Sequence, residues 1–398
     1  MTNGIRIILK PILITSYVFG LRIASLSSCS KLWFNVLYML LLWSIYFSFL
    51  PSVTSTFKKF HSLIEDQVFY WYEVCTTLLS VAINIYYNTK FQNCLRKLDI
   101  VDNTLFKLGL ITNYDKPGNK TLWFVLGWFV IVILTNCCTS WFINIEFNYK
   151  FKSALIYIYL LNYCFHINFI GDLTTASILQ FIGLKFDQIN EYLQNTMKYK
   201  QKKQTLKNRI TYSHQRNISK TFGNKCIMWT ITHLHVELRK IFREIDLIFG
   251  TQMTFKMASY FGWIVVDLRE MLYAILVNNY VKYNIISIGS HCLWLIHNVF
   301  KFLLINYICE TIVIKANVTT DLLNKLSFFN CDIEIREIIS QLSLRTVHAP
   351  FKFCGIGFFQ FGFKFFYRFM MSVVTVLVII IQAQKTKQSS FSNYNNIY

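Results

Sequence analysis

The sequence predicts an all-α membrane protein with seven transmembrane helices, a cytosolic N-terminus and an extracellular C-terminus. Three observations carry this. The chain of 398 residues is 54% hydrophobic and 17% aromatic but only 15% charged, whereas soluble domains run near a quarter charged. Its mean hydropathy is +0.39. Its 40 Lys and Arg residues cluster between apolar runs. Spread along a folded surface they would suggest nucleic acid; concentrated this way they mark the sides of a membrane.

A bilayer core takes about 20 apolar residues of helix, and seven runs in the chain qualify. The first, residues 32–53, carries no charge, and the second, 68–88, carries only Glu73. No short apolar stretch with a small-residue cleavage site precedes residue 32, so the first span is expected to remain in the mature protein. The third run, 122–143, is again uncharged, and the fourth, 153–184, holds His166 and Asp172. The fifth, 248–277, is the weakest, because it holds Lys256, Asp267, Arg269 and Glu270. The sixth, 285–309, holds Lys301, and the seventh, 365–384, is entered through Arg368.

The connecting segments give the orientation. The N-terminal segment, the 2–3 and 4–5 loops and the segment between spans six and seven hold 28 Lys and Arg, against 7 on the opposite side. Basic residues stay in the cytosol. Domain limits follow: residues 1–364 form spans one to six with helical anchor segments near 185–247 and 310–364. Residues 365–384 form the last span, and 385–398 a short extracellular tail. The anchor segments show helical spacing. Phe186, Ile189, Tyr192, Leu193 and Met197 form one stripe, and Leu234, Leu238, Ile241 and Ile245 form another.

This plan argues against two other classes of membrane protein. A G-protein-coupled receptor has the reverse orientation and a proline-kinked seventh helix, yet none of the chain's 4 prolines lies in mid-span. A secondary transporter wants paired Gly or Pro interruptions in repeated halves, and no internal repeat is visible. Both remain alternatives. The 11 cysteines include no CxxC pair, and several lie within apolar runs. They read as reduced, buried thiols rather than as a disulfide framework. His233 and His235 stand alone in a helical segment and are not expected to hold a metal. No enzyme motif and no cofactor motif is present.

Polar residues inside spans are costly and face the bundle interior or a cavity. Those in the outer and middle membrane are Glu73, Asn136, Thr139, Asn162, His166, Trp263, Asp267, His291 and Trp294. Their aromatic faces and hydrogen-bonding groups suit a small organic ligand. Interhelical hydrogen bonding without a ligand is the competing account.

The C-terminus carries the most specific pattern. Thr375 and Val376 are followed by the five apolar residues 377–381 and then by Gln382 and Ala383. Upstream stands the stretch "QLSLRTVHAPFKFCGIGFFQFGFKF". The chain resembles the insect gustatory receptors, whose last helix bears Thr-Tyr, five hydrophobic residues and Gln-Phe. Thr375 and Gln382 match that signature; Val376 and Ala383 depart from it. The resemblance implies a ligand-gated, non-selective cation channel of the plasma membrane of chemosensory neurons. It implies a homotetramer, or a heteromer with related receptors, whose last helices line one pore. A small-molecule tastant would bind within each subunit's bundle. Thr375, Val378, Ile381, Gln382 and Ala383 then become the pore and gate residues. Val378 and Gln382, one turn apart, share a face, and the apolar run before Gln382 can close a pore by dewetting. Ala383, where the family has Phe, removes bulk from the expected constriction.

Overall fold

The chain is described here by a computed structural model covering residues 4–21, 29–60, 64–110, 115–207, 218–276, 281–328 and 333–395. Eleven helices and one small hairpin account for most of these residues. They are α1 (Gly4–Val18), α2 (Cys29–Phe60), α3 (Ile64–Tyr86), α4 (Asn88–Lys107), α5 (Asp115–Phe147), α6 (Phe151–Leu161), α7 (Tyr163–Lys207), α8 (Ile218–Leu276), α9 (Val281–Phe328), α10 (Ile333–His348) and α11 (Phe363–Asn395).

Six segments are long and apolar enough to cross a membrane: Trp33–Ser52, Gln67–Tyr86, Gly118–Ile145, Tyr163–Tyr199, Ile288–Ser327 and Phe363–Ala383. The expected fifth span falls in the second half of α8, with Val277 outside the described residues. Its charges keep it out of the apolar set, yet they are paired inside the bundle. Lys256 Nζ lies 2.8 Å from Asp172 Oδ1, and both side chains are buried. Asp267 receives His291 at 3.2 Å.

Helices α7, α8 and α9 have 45, 59 and 48 residues. At 1.5 Å per residue they extend roughly 65–90 Å, two to three times the ~30 Å of a bilayer core. The surplus forms a second bundle with α4 and α10. There Phe186, Ile189 and Leu193 of α7 are buried, as are Leu234, Leu238, Ile241 and Ile245 of α8. Polar ties join the helices. Lys185 of α7 pairs with Asp102 of α4. Thr319 of α9 donates to Asn190 of α7 at 2.7 Å. Arg239 of α8 donates to the carbonyl of Arg345 of α10 at 3.0 Å. His235 is buried between Phe186 and Phe351, with ring centres 5.6 Å away on each side. Burial lowers its pKa to about 4, so it is a neutral packing group. His233 instead stacks on Trp229 at 5.5 Å. Among the described residues, no group of three or more His, Cys, Asp or Glu side chains is arranged to hold a metal ion.

Four features differ from the sequence reading. The fourth span is not one helix from 153 to 184. It turns at Asn162, where φ −83° and ψ 2° leave helical geometry between α6 and α7, and the Asn162 side chain is drawn to Asn136 at 2.9 Å. Second, α1 was not anticipated. It is too short to span a bilayer, but Ile5, Leu9, Ile12 and Ser16 are buried, and Ser16 meets Thr174 of α7 at 3.1 Å. Third, α4 makes most of the 2–3 loop helical, with Phe91, Leu95, Leu98 and Leu105 as its buried stripe. Fourth, α11 continues past residue 384 to Asn395. The stretch after Gly362 contains no Gly or Pro to stop it.

The approach to α11 is a two-stranded hairpin of β1 (Cys354–Gly355) and β2 (Phe359–Gln360). Gly357 takes φ +79° in its turn, a conformation suited to glycine. The hairpin is fastened to both neighbours. Cys354 N–H donates to Asp246 Oδ1 of α8 at 2.8 Å. Gly362 N–H donates to Asn306 Oδ1 of α9 at 2.9 Å.

Candidate functional site

Inside the bundle, α5, α7, α8 and α9 bring most of the expected ligand residues together. Asn136 of α5 sits between Asn162 at 2.9 Å and His166 at 3.0 Å. Thr139, one turn along α5, accepts the indole N–H of Trp294 at 3.1 Å. Trp294 stacks on His166, with ring centres 6.3 Å apart and planes 23° apart. Phe165 lies edge-on to Trp263 at 5.0 Å and to Trp294 at 5.7 Å. One turn further along α9, His297 contacts Trp294 and, at 4.9 Å, Phe169. Asp267 and His291 flank this cluster, and Asn298 donates to Asp267 Oδ2 at 3.4 Å.

This aromatic cluster contains buried polar atoms without a partner among the described residues. They are His166 Nδ1, Trp263 Nε1, both ring nitrogens of His297, and Asn298 Oδ1. Buried donors and acceptors left unpaired cost about 1–3 kcal/mol each, and such groups call for an explanation. They lie on α7, α8 and α9, on or next to the stacked rings of Phe165, His166, Trp263, Trp294 and His297. A separate groove of about 320 Å³ is lined by Cys137, Cys138 and Trp141 of α5, Phe151 of α6, and Gly289, Ser290 and Leu293 of α9.

Glu73 is placed differently. Its carboxylate accepts Asn168 at 2.7 Å and Ser259, deep between α3, α7 and α8. The neighbouring Asp172 accepts Lys256 and Tyr260, and the Lys301 ammonium lies 4.6 Å from the Tyr260 ring centre. These charged groups hold helices together below the aromatic cluster. Sequence reasoning missed His297, Phe165 and Phe169. The signal for His297 was its position three residues after Trp294, on the same helical face.

The seventh helix forms the second candidate region. Its anchored face is an aromatic ladder. Phe302 of α9 stacks on Phe369 at 3.9 Å and on Phe366 at 5.3 Å, and Phe359 of the hairpin stacks on Phe365 at 4.2 Å. Val373 and Leu377 continue this buried face, and Ile380 packs against it. Thr375, Val378, Gln382 and Ala383 are exposed on the protomer, while Ile381 is half-buried. Thr375 and Val378 thus lie on the side of α11 away from the aromatic ladder.

No curated protein matches the sequence. Among solved structures, the insect olfactory receptor OR5 from Machilis hrabei superposes with a TM-score of 0.63 at 12% identity, covering 94% of this chain and 97% of that one. The same receptor in complex with eugenol gives the same figures. The fold is thus shared although few residues are. The sequence model of the family described as 7tm Chemosensory receptor matches residues 9–387. The chain therefore belongs to the seven-transmembrane chemosensory receptors, a family of multi-pass membrane proteins.

Proposed function

We propose that this receptor is a gustatory receptor acting as a ligand-gated, non-selective cation channel. Four subunits, identical or related, surround a pore lined by α11. Each binds a small-molecule tastant at the aromatic cluster of α5, α7, α8 and α9. The N-terminus is cytosolic, the anchor bundle lies beneath the plasma membrane of a chemosensory neuron, and the C-terminal end of α11 faces outward.

The observation that carries this reading is the one-sided packing of α11. The segment Phe363–Ala383 has a mean hydropathy of 2.0, yet only Phe369, Val373 and Leu377 of it are buried within the protomer. The face carrying Thr375, Val378 and Gln382 is turned away from its own bundle. Partner copies of α11 give that face an inner surface, where Val378 and its apolar neighbours close the pore and Gln382 meets water at its mouth. The hairpin couples the two sites, because it fastens the start of α11 to α8 and α9, the helices that also carry Trp263 and Trp294.

Reconstitution into planar bilayers tests this directly. Sugars, alkaloids and phenols are applied in turn; phenols are included because a receptor of like fold was solved with eugenol. Unitary cation currents on ligand addition are expected. Cysteine at 378 or 382 should react with an external water-soluble thiol reagent and change the current. Cysteine at 380, about 160° around the helix from 378, should react far more slowly. Ligand binding without current, or equal reactivity at the three positions, would sink the channel reading.

A further inference from the structure

A basic groove lies on the outside of the second bundle, where two membrane segments end. Helix α4 begins two residues after α3 leaves its apolar segment at Tyr86. Lys90, Asn93, Arg96, Lys97 and Ile100 follow at helical spacing on one face of α4, opposite Glu244 and Leu247 of α8. Together they enclose about 440 Å³. The other face of α4 is buried in the protein, so this stripe is not part of the packing.

The groove has an internal order. Lys97 Nζ lies 2.5 Å from Glu244 Oε1, and the Cys94 thiol donates to Glu244 Oε2 at 3.1 Å. Burial raises the Glu244 pKa, but these bonds and the charges of Lys97 and Lys90 outweigh it and bring the pKa below the usual value. Glu244 is thus an ionised floor that fixes Lys97. Lys90 and Arg96 make no ion pair among the described residues, which leaves the groove a net positive charge. Lys90 instead sits 5.1 Å from the centre of the Tyr87 ring. Its apolar lining residues are exposed, Ile100 at 63% and Leu247 at 53%, and Tyr86, four residues before Lys90, is 79% exposed. Tyrosines at this depth are interfacial residues.

From this arrangement we propose that the groove between α4 and α8 binds the headgroup of a phosphoinositide-class lipid from the adjoining leaflet. Lys90, Arg96 and Lys97 face its phosphates, Asn93 donates a further hydrogen bond, and Leu247, Ile100 and Tyr86 contact the start of its acyl chains. The lipid is favoured over a soluble phosphate because the basic side chains open at the level where α3 and α8 meet the bilayer. A phosphate monoester carries more charge and more acceptor oxygens than a serine headgroup, and a three-cation cradle rewards both. The inference does not depend on whether the receptor conducts.

The test uses the full chain in nanodiscs, with native mass spectrometry to count bound lipids and thermal melting as a second readout. Phosphatidylinositol bisphosphate should bind the wild type and raise its Tm. In K90Q/R96Q, which removes two exposed cations and leaves the Lys97–Glu244 pair intact, affinity should fall about 10- to 30-fold, with an unchanged Tm in neutral lipid. K150Q/K152Q, at the start of α6 and outside the groove, should behave as wild type. Equal retention by K90Q/R96Q would overturn the site. Phosphatidylserine held as tightly would overturn the preference for phosphate monoesters. Soluble inositol trisphosphate bound as tightly as the lipid would show that the groove serves a soluble anion.

Discussion

Helices α7 and α11 are both long enough to cross a membrane, yet they occupy opposite positions in the protein. The apolar segment of α7 has a mean hydropathy of 1.3 and is 89% buried; that of α11 has 2.0 and buries only Phe369, Val373 and Leu377. The less hydrophobic helix is the interior one. In water the order would be reversed, but in a bilayer it is polar groups that need protein around them. Helix α7 carries Asn168, Asp172, Thr174, Thr175 and Ser177, all buried, and most of them bond to neighbouring helices or to their own backbone. On α11, Ser372 and Thr375 return their hydroxyls to the carbonyls of Arg368 and Met371, each at 3.0 Å. These need no neighbour. Helix α7 is held by what it must satisfy, while α11 keeps an exposed apolar face.

The largest effect expected from this contrast is in α7. Asp172→Leu leaves Lys256 buried without its carboxylate, and breaking a buried pair from one side costs about 3–5 kcal/mol. The variant should lose its monodisperse peak in detergent chromatography. The double variant Asp172→Leu/Lys256→Met removes both charges and should recover much of it. A single variant that folds like wild type would mean that α7 is not organised by its polar interior.

The next effect separates the two ends of α11. Phe369 is locked against Phe302 and Phe261, so Phe369→Ala should lower stability by about 2–4 kcal/mol. Ile379 is 58% exposed, and Ile379→Ala should stay within about 0.5 kcal/mol. Melting in nanodiscs measures both. Equal losses would mean that the outward face of α11 is packed within the protomer after all.

A smaller effect tests the joint between α8 and the hairpin that leads to α11. Burial raises the Asp246 pKa to about 6, although the N–H of Cys354 opposes the rise. A raised folded-state pKa means that this group's contribution to stability is fully present below the ordinary carboxylate pKa and is lost as pH rises through about 6. Asn at 246 keeps the acceptor for Cys354 without the charge. Asp246→Asn should therefore melt higher than wild type at pH 7.5, by an amount on the order of 1 kcal/mol after solvent screening, and should match it near pH 4. A constant difference across that range would place the carboxylate in water.

How much of this contrast was legible in the sequence depends on the kind of signal. The apolar runs gave away most spans by length, and the stripe of Phe186, Ile189 and Leu193 announced a buried helical face. The outward alignment of Thr375, Val378 and Gln382 is a matter of spacing, and spacing is printed in the chain. The pairing of Lys256 with Asp172 is not, because it depends on how two helices 84 positions apart rotate against each other. Helix α1 escaped notice because it is shorter than a span, although Ile5, Ile8, Leu9 and Ile12 already recur at three- and four-residue intervals. The turn at Asn162 left no Pro or Gly as a warning. Glu73 looked like a ligand group because it is acidic and within a span; only the structure shows its oxygens taken by Asn168 and Ser259.

The smallest stability effect, and the one that bears most on conduction, lies at the end of α11. Gln382 and Ala383 are both exposed on the protomer, so Gln382→Leu and Ala383→Phe should each leave melting within about 0.5 kcal/mol of wild type. Current should change nonetheless. If copies of α11 surround a pore, Leu at 382 extends the apolar stretch begun at Val378 by one turn, and a longer dewetted stretch conducts less. Phe at 383 restores bulk at the position where the resembling receptors carry it, and resting current should fall. The two changes lower current for different reasons, which concentration–response curves can separate. A longer hydrophobic plug should still open with saturating ligand but pass less current. A restored constriction should suppress the unliganded current while leaving the maximal response nearer to wild type. If neither substitution moves current while both leave folding intact, α11 faces lipid on that side. The contrast with α7 would then describe only which helix sits at the edge of the bundle.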